Sequence, residues 1–97
     1  MRFRFTPRAA SEADREQAWW REHRPKAPDL FDEELEQAIG QIVHGPTVGT
    51  IYPCGFPDVV RRVLLTKTKN HVYFTVYDGE IVILSIWGAP RRRGPKL

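Results

Sequence analysis

The chain has 97 residues, of which 41% are hydrophobic and 28% are charged, as in a soluble globular protein and unlike a disordered one. This length allows one hydrophobic core, so we expect residues 1–97 to form a single domain. The one cysteine, Cys54, excludes an intrachain disulfide and a cysteine-based zinc cluster. No apolar run approaches a membrane span and no secretory segment follows Met1, which predicts a cytoplasmic protein with no membrane partner.

Charge is distributed unevenly along the chain. Residues 1–44 contain seven Lys and Arg against nine Asp and Glu, a net charge of −2. Residues 45–97 contain eight against three, a net charge of +5, and the whole chain carries +3. A basic C-terminal half favours a polyanionic ligand or an acidic protein partner, although a solvated basic surface has the same composition.

The first two predicted elements are a short strand and a helix. Residues 2–6 alternate polar and apolar, the period of a strand, and Pro7 ends the pattern. Ser11 is followed by Glu12 and Asp14, which predicts a helix that begins at Ser11. We expect this helix to end before Pro25 and to bury Ala13, Trp20 and either Gln17 or Ala18.

A second helix is predicted over residues 29–44. Its apolar residues recur at helical spacing and form one stripe, and Gly45 and Pro46 follow it as a helix C-terminus requires. The stripe consists of Phe31, Leu35, Ala38, Ile39 and Ile42. The short linker between the helices predicts an antiparallel helical hairpin.

Residues 46–58 are predicted to be a loop, and three strands are predicted after it, over residues 59–66, 71–77 and 80–87. Asp78-Gly79 is typical of a two-residue turn with positive φ at both positions. That turn pairs Phe74 with Ile83 and Val72 with Ser85. The element order β-α-α-β-β-β predicts an α+β domain in which a helical hairpin packs on one face of a small antiparallel sheet.

Both faces of the last hairpin are apolar. One face contains Val72, Phe74, Val76, Ile81 and Ile83, and the other contains Tyr73, Val82, Leu84 and Ile86. Because two helices can cover only one face, the second face is covered either by the loop and the C-terminal tail or by a partner molecule.

Residues that carry chemistry are few. The three histidines lack metal-ligand spacing, no glycine-rich loop follows a strand, and Cys54 has no basic neighbour to lower its pKa, so we expect no metal, no cofactor and no cysteine nucleophile. In an antiparallel sheet, seven basic side chains would meet near one edge, as a phosphate-rich ligand requires, unless each is simply solvated. This candidate target-binding set is Arg62, Lys67, Lys69, His71, Arg91, Arg92 and Arg93.

The whole pattern resembles the RelE/ParE toxin superfamily of type II toxin–antitoxin systems. The resemblance rests on order and spacing: a strand ending in proline, a helix with paired tryptophans, a helix ending in Gly-Pro, and three sequence blocks. These blocks are Arg61-Arg62-Val63-Leu64-Leu65, His71-Val72-Tyr73-Phe74 with Asp78-Gly79-Glu80-Ile81-Val82-Ile83-Leu84, and Arg91-Arg92-Arg93.

The resemblance implies one of two activities. RelE-like toxins cleave mRNA on the ribosome without a metal, whereas ParE-like toxins inhibit DNA gyrase through protein contacts. The positions of the RelE-like basic residues correspond here to Arg62, Leu64, His71 and Arg91, and the C-terminal tyrosine corresponds to Leu97. If the chain is an endoribonuclease, its catalytic residues are Arg62, His71 and Arg91. Because Leu64 and Leu97 cannot transfer protons and arginine stays protonated, the ParE-like alternative, which needs no catalytic residue, is favoured.

The resemblance also implies a cognate antitoxin, ParD-like or similar, with which the toxin forms a hetero-oligomer. An acidic amphipathic segment of that partner would complement the second face and the basic tail. The predicted antitoxin-binding residues are Tyr73, Val82, Leu84, Ile86, Arg91, Arg92 and Arg93. A non-toxic interaction module on the same fold stays a third alternative.

Overall fold

A computed structural model describes residues 1–97, with two helices and five strands in a mixed sheet. The elements are β1 (Phe3–Phe5), α1 (Pro7–His23), α2 (Leu30–His44), β2 (Thr50–Ile51), β3 (Val60–Leu65), β4 (Asn70–Tyr77) and β5 (Glu80–Gly88). The predicted α+β class is confirmed.

The strand order is β1-β5-β4-β3-β2. The pairs among β3, β4 and β5 are antiparallel, as predicted, and the additional strand β2 is antiparallel to β3. β1 instead pairs parallel to β5, with Phe3 opposite Ile81 and Phe5 opposite Ile83. After β1 the chain passes through the two helices before it enters the other strands. This long connection allows β1 to lie at the edge of the sheet beside β5 and parallel to it.

The predicted start of α1 was wrong. The helix begins at Pro7 and not at Ser11, because Thr6 is its N-cap and the Thr6 hydroxyl accepts a hydrogen bond from the amide of Ala9 (3.1 Å). Proline at the first helical position loses no hydrogen bond and has a helical φ. Pro7 therefore both ends β1 and begins α1.

The second helix is confirmed from Leu30 to His44, with Asp29 at the N-cap. All five residues of its predicted stripe are buried. They pack with one side of the sheet in the main core, which also contains Ala9 of α1 and the β4–β5 residues Val72, Phe74, Ile81, Ile83 and Ile86.

The β4–β5 turn is confirmed, but the register changes beyond it. Asp78 and Gly79 have φ of 52° and 71°, and Phe74 pairs with Ile83. A β-bulge at Tyr73/Phe74 then shifts the pairing, so Val72 lies opposite Ile86 and not opposite Ser85. A bulge adds one unpaired residue to a strand, which moves later side chains to the other face. Ile86 consequently lies in the main core, and its predicted place on the second face was wrong.

Residues 46–58 are not entirely a loop, because they contain the edge strand β2. Gly49 enters this strand with φ of +78°, and a Cβ at this position would lie 2.2 Å from the carbonyl oxygen of Arg62. Only glycine allows both this conformation and this close approach. The conformation at Gly49 thus brings β2 against β3.

The second face of the sheet is covered by the chain itself. Val60, Tyr73, Val82 and Leu84 form a separate buried cluster there. The side chains packed against this cluster come from the loop, the end of β5 and the chain terminus: Tyr52, Phe56, Trp87 and Leu97. Of the two alternatives for this face, the structure therefore has the loop and tail.

Neither helix has the length and apolar character that crossing a bilayer requires.

Candidate functional site

The second face contains two rows of side chains that run across the strands. In one row, Arg62 of β3 lies opposite Tyr73 of β4. In the next row, Leu64 lies opposite His71, which in turn lies opposite Trp87 of β5. Because alternate residues of a strand share a face, the two rows are neighbours on one surface. The surface combines cations with aromatic rings.

Arg62 is held between two tyrosines. Its guanidinium donates a hydrogen bond to the Tyr73 hydroxyl (3.4 Å) and lies 5.6 Å from the centroid of the Tyr52 ring. The Tyr52 and Tyr73 rings meet edge to face at 4.8 Å. Burial raises the pKa of Tyr52 and the neighbouring Tyr73 and Cys54 raise it further, while Arg62 opposes the change. The Tyr52 phenol therefore stays protonated at neutral pH.

His71 is half-buried beside this pair, with its ring 5.9 Å from that of Tyr73. Burial lowers the pKa of His71, and the positive charge of Arg62 lowers it further. Both effects disfavour the imidazolium. His71 is therefore neutral at pH 7 and can accept a proton.

Arg91 extends this surface toward the tail. Its guanidinium stacks over the Trp87 ring at 4.1 Å, and Arg8 of α1 approaches the same ring at 5.7 Å. His71 pairs with Trp87 at the end of β5, because the start of one antiparallel strand lies beside the end of the next. Tyr73 thus contacts both Arg62 and His71, and Trp87, which pairs with His71 across the strands, contacts Arg91.

The other predicted target-binding residues do not all join this surface. The main-chain amides of Lys67 and Thr68 and the Thr68 hydroxyl donate to the Glu34 carboxylate of α2 at 2.8–2.9 Å, which ties the β3–β4 turn to the helix side. Burial alone would raise the pKa of Glu34, but these hydrogen bonds outweigh it and lower the pKa. Lys69 lines a cleft beside α1. The side chains of Arg92 and Arg93 are exposed and form no ion pair.

The predicted antitoxin-binding side chains of the sheet are buried. Tyr73, Val82 and Leu84 are between 1% and 7% exposed beneath the chain's own loop and tail, and Ile86 lies in the main core. In this conformation only the arginines of that predicted set lie on the surface.

Residues 93–97, which we call the tail segment, are fixed across the second face. The Trp87 indole donates to the carbonyl of Arg93 (2.8 Å), and the Tyr52 hydroxyl donates to that of Pro95 (3.1 Å). Arg8 donates to the carbonyl of Lys96. Pro95 is buried and Leu97 packs on the second cluster, so the tail segment is part of the folded domain.

Comparison with known proteins gave matches in structure only. No protein-family model matches the chain, and no curated protein matches its sequence. A solved structure described as the chromosomal ParDE toxin–antitoxin system of P. aeruginosa superposes with a TM-score of 0.63 at 23% identity, over 91% of this chain and 95% of that chain. The chain has the RelE/ParE fold.

Two E. coli structures with the RelE/ParE fold agree with this assignment. The intact RelBE toxin–antitoxin complex gives a TM-score of 0.61 at 20% identity, over 93% of this chain and 98% of that chain. The isolated RelE toxin gives 0.61 at 19% identity, over 95% of this chain and 87% of that chain. The predicted resemblance is confirmed at the level of the fold.

On this RelE/ParE fold, the surface supplies positive charge, stacking partners and one titratable group. Arg62 and Arg91 can hold a phosphate or a carboxylate. His71 can accept one proton, and histidine is the only side-chain type on this surface that ordinarily exchanges protons near neutral pH. The arrangement is thus suited to binding more than to general acid–base catalysis.

Sequence reasoning missed the aromatic half of this surface. Tyr52 lay in a segment predicted to be a loop, and Tyr73 was considered only as an apolar residue of the second face. The available signal was the presence of both basic and aromatic residues at neighbouring positions of the last three strands, as in a basic surface with stacking partners. These residues are Arg62, His71, Tyr73, Trp87 and Arg91.

Proposed function

We propose that this chain is the toxin of a type II toxin–antitoxin pair and that it inhibits DNA gyrase through protein contacts. The observation that carries the proposal is the RelE/ParE fold over more than nine-tenths of the chain, together with a basic and aromatic surface that contains a single histidine. Folds are reused for different functions, so the residues of the surface must decide between the activities that occur on this fold.

Protein contacts are favoured over RNA cleavage because the surface has one histidine and no second side chain of the type that ordinarily exchanges protons near neutral pH. Cleavage without a metal needs one group to accept the proton of the attacking hydroxyl and another to protonate the leaving oxygen. His71 supplies the first function. Arg62 and Arg91 stay protonated, and Leu64 and Leu97 have no titratable group.

A ribosome-dependent endoribonuclease is the second candidate function, and the geometry around His71 favours it over other enzymes. A neutral imidazole beside Arg62 is the arrangement that a general base and its phosphate-binding partner would require. In this alternative His71 is the base, and Arg62 and Arg91 bind the scissile phosphate.

The partner in both alternatives is a cognate antitoxin. The exposed arginines at 91–93 and the net charge of +5 on residues 45–97 complement an acidic segment. Its apolar side chains would have to bind outside the second cluster or displace the tail segment, since that cluster is buried in the isolated chain.

Induced expression in bacteria tests the assignment as a toxin. We expect growth to stop on induction and to resume when the product of the adjacent gene is co-expressed, and the two proteins should co-purify. The Phe31→Asp variant, which should not fold because it buries an unpaired carboxylate in the main core, is the control for nonspecific effects of expression. Normal growth with folded, abundant wild-type protein would contradict the proposal.

A further inference from the structure

Arg62 is held on the second face by neutral groups and not by a carboxylate. The ion pairs of the structure are formed by other basic residues, namely Arg4, Arg8 and Arg21. The Arg62 guanidinium instead donates to the Tyr73 hydroxyl at 3.4 Å and lies 5.6 Å from the centroid of the Tyr52 ring. A carboxylate would fix the arginine but would also neutralise it. Two phenols fix it and leave its charge for a ligand.

The two tyrosines differ in what else they do. Tyr73 is 1% exposed and belongs to the buried second cluster, so the fold itself requires it. Tyr52 directly follows the edge strand β2 and is half-buried. Because Thr50 lies opposite Arg62, Tyr52 is the diagonal neighbour of Arg62 on the same face. Of the two rings, Tyr52 is thus the one that can be changed without removing a residue of the buried cluster.

The Tyr52 ring is itself fixed by three contacts. The Tyr52 amide donates to the carbonyl of Val60 at 2.8 Å, and the hydroxyl donates to the carbonyl of Pro95 at 3.1 Å. The ring meets Tyr73 edge to face, with an interplanar angle of 72°. A ring that is fixed at its backbone and at its tip gives the long side chain of Arg62 one preferred position.

We propose that Tyr52 is a positioning residue of the target-binding surface, which holds the Arg62 guanidinium in place for a carboxylate of the target protein. Tyr52 acts through Arg62 and does not touch the target itself. An arginine that is ordered before binding loses less side-chain freedom when it binds. The inference rests on the proposed function, because it takes Arg62 to contact the target.

His71 reports the position of Arg62 in the absence of any target. Burial lowers the pKa of His71, and the positive charge of Arg62 lowers it further. In Arg62→Gln the pKa of His71 should therefore rise toward its ordinary value of 6.5. It should also rise in Tyr52→Leu, because the guanidinium is then no longer held beside His71. Tyr52→Phe retains the ring and should leave the pKa of His71 near the wild-type value, as measured by NMR titration of the imidazole.

A double variant separates positioning from packing. Loss of the Tyr52 ring would also raise the pKa of His71 if it merely exposed the imidazole to water, but that effect would not need Arg62. If Tyr52 acts through Arg62, the Tyr52→Leu change should raise the pKa of His71 no further once Arg62→Gln is present. An equal rise in both backgrounds, or an unchanged pKa in folded Tyr52→Leu, would overturn the proposal. Tyr52→Gln, which also lacks a ring, is measured in the same way so that the test does not depend on the folding of one variant.

Inhibition of supercoiling by purified DNA gyrase measures the consequence at the target. We expect Tyr52→Leu to need about two- to fivefold more protein for half-inhibition, which corresponds to one cation–π contact at a partly exposed site. Tyr52→Phe should restore nearly the wild-type concentration, and Tyr52→Leu should have no further effect in the Arg62→Gln background. Tyr77→Leu is the matched control, since it removes a 59% exposed ring at the other end of β4 from His71. A loss of inhibition in Tyr77→Leu equal to that in Tyr52→Leu would overturn the assignment to Arg62.

The two readouts separate this inference from the proposed function. A wild-type protein that leaves gyrase active, while His71 titrates as expected in the variants, would contradict the proposed function and leave the positioning of Arg62 by Tyr52 supported. Inhibition of gyrase that Arg62→Gln leaves unchanged would support the assignment as a toxin and overturn the role of Tyr52 at the target.

Discussion

Gly94 is the residue at which the attachment of the tail segment can be tested most sharply. A Cβ at this position would lie 2.1 Å from the Tyr52 hydroxyl oxygen and 2.7–2.8 Å from two ring carbons. The Tyr52 ring is fixed by Tyr73 and Arg62, so the overlap must be relieved mainly by movement of the tail. We therefore expect Gly94→Ala to release residues 93–97 from the second face.

The size of the effect follows from the hydrogen bonds that release would break. Those from Trp87 to the Arg93 carbonyl and from Tyr52 to the Pro95 carbonyl have ordinary lengths, and each contributes about 1 kcal/mol net. Losing both favours the open tail by about 2 kcal/mol, which is about 30-fold in the opening equilibrium. Tyr52→Phe removes one of them and should change this equilibrium about fivefold.

Carboxypeptidase digestion measures this opening, because a protease samples the open population when closing is fast. Release of Leu97 and Lys96 should be fastest in Gly94→Ala, intermediate in Tyr52→Phe and slowest in the wild type. Gly55→Ala is the matched control, since a Cβ there meets nothing within 4 Å. Equal digestion rates for Gly94→Ala and Gly55→Ala would refute the described packing of the tail.

Three further predictions concern stability. Glu34→Ala should lower the free energy of unfolding by about 2 kcal/mol. Because the pKa of Glu34 is lowered in the fold from its ordinary value of 4.5, this difference should be full at neutral pH and diminish as the pH falls below 4.5. The exposed control Glu36→Ala should change the stability little. Leu35→Ala should cost about 2–5 kcal/mol, and Gly79→Val should also destabilise, because its φ is positive; both are measured by urea denaturation. The wild type should lose stability between pH 7 and pH 5, because the unfolded chain takes up a proton on His71 below pH 6.5 and the folded chain disfavours protonated His71. This loss should be smaller in His71→Gln, and an unchanged pH profile would contradict the prediction.

The elements set by local patterns could be predicted from the sequence. The stripe of α2 and the Asp78-Gly79 turn need only helical period and turn chemistry, and both are confirmed. The bulge at Tyr73/Phe74 has no local signal, because Ser85 fits either register. The start of α1 was misplaced because Ser11 and Thr6 both have the chemistry of an N-cap, and only Pro7 distinguishes them.

The candidate site was predictable in its charges but not in its construction. The pairing of His71 with the end of β5 follows from antiparallel geometry and is confirmed. Tyr52 could not be placed, because β2 depends on the conformation of Gly49 beside Arg62. The position of the tail depends on contacts with residues distant in sequence, such as Arg8, and no periodic pattern reports these.

A supercoiling and cleavage assay with purified DNA gyrase tests the proposed function most directly. With the wild-type protein, we expect gyrase to be inhibited and gyrase–DNA cleavage complexes to accumulate, while mRNA on programmed ribosomes stays intact. His71→Gln, which keeps a polar side chain on the binding surface but cannot accept a proton, should retain most of this inhibition, since the proposal assigns no proton transfer to that residue. Unaffected gyrase together with mRNA cuts that disappear in His71→Gln would contradict the account and establish the endoribonuclease.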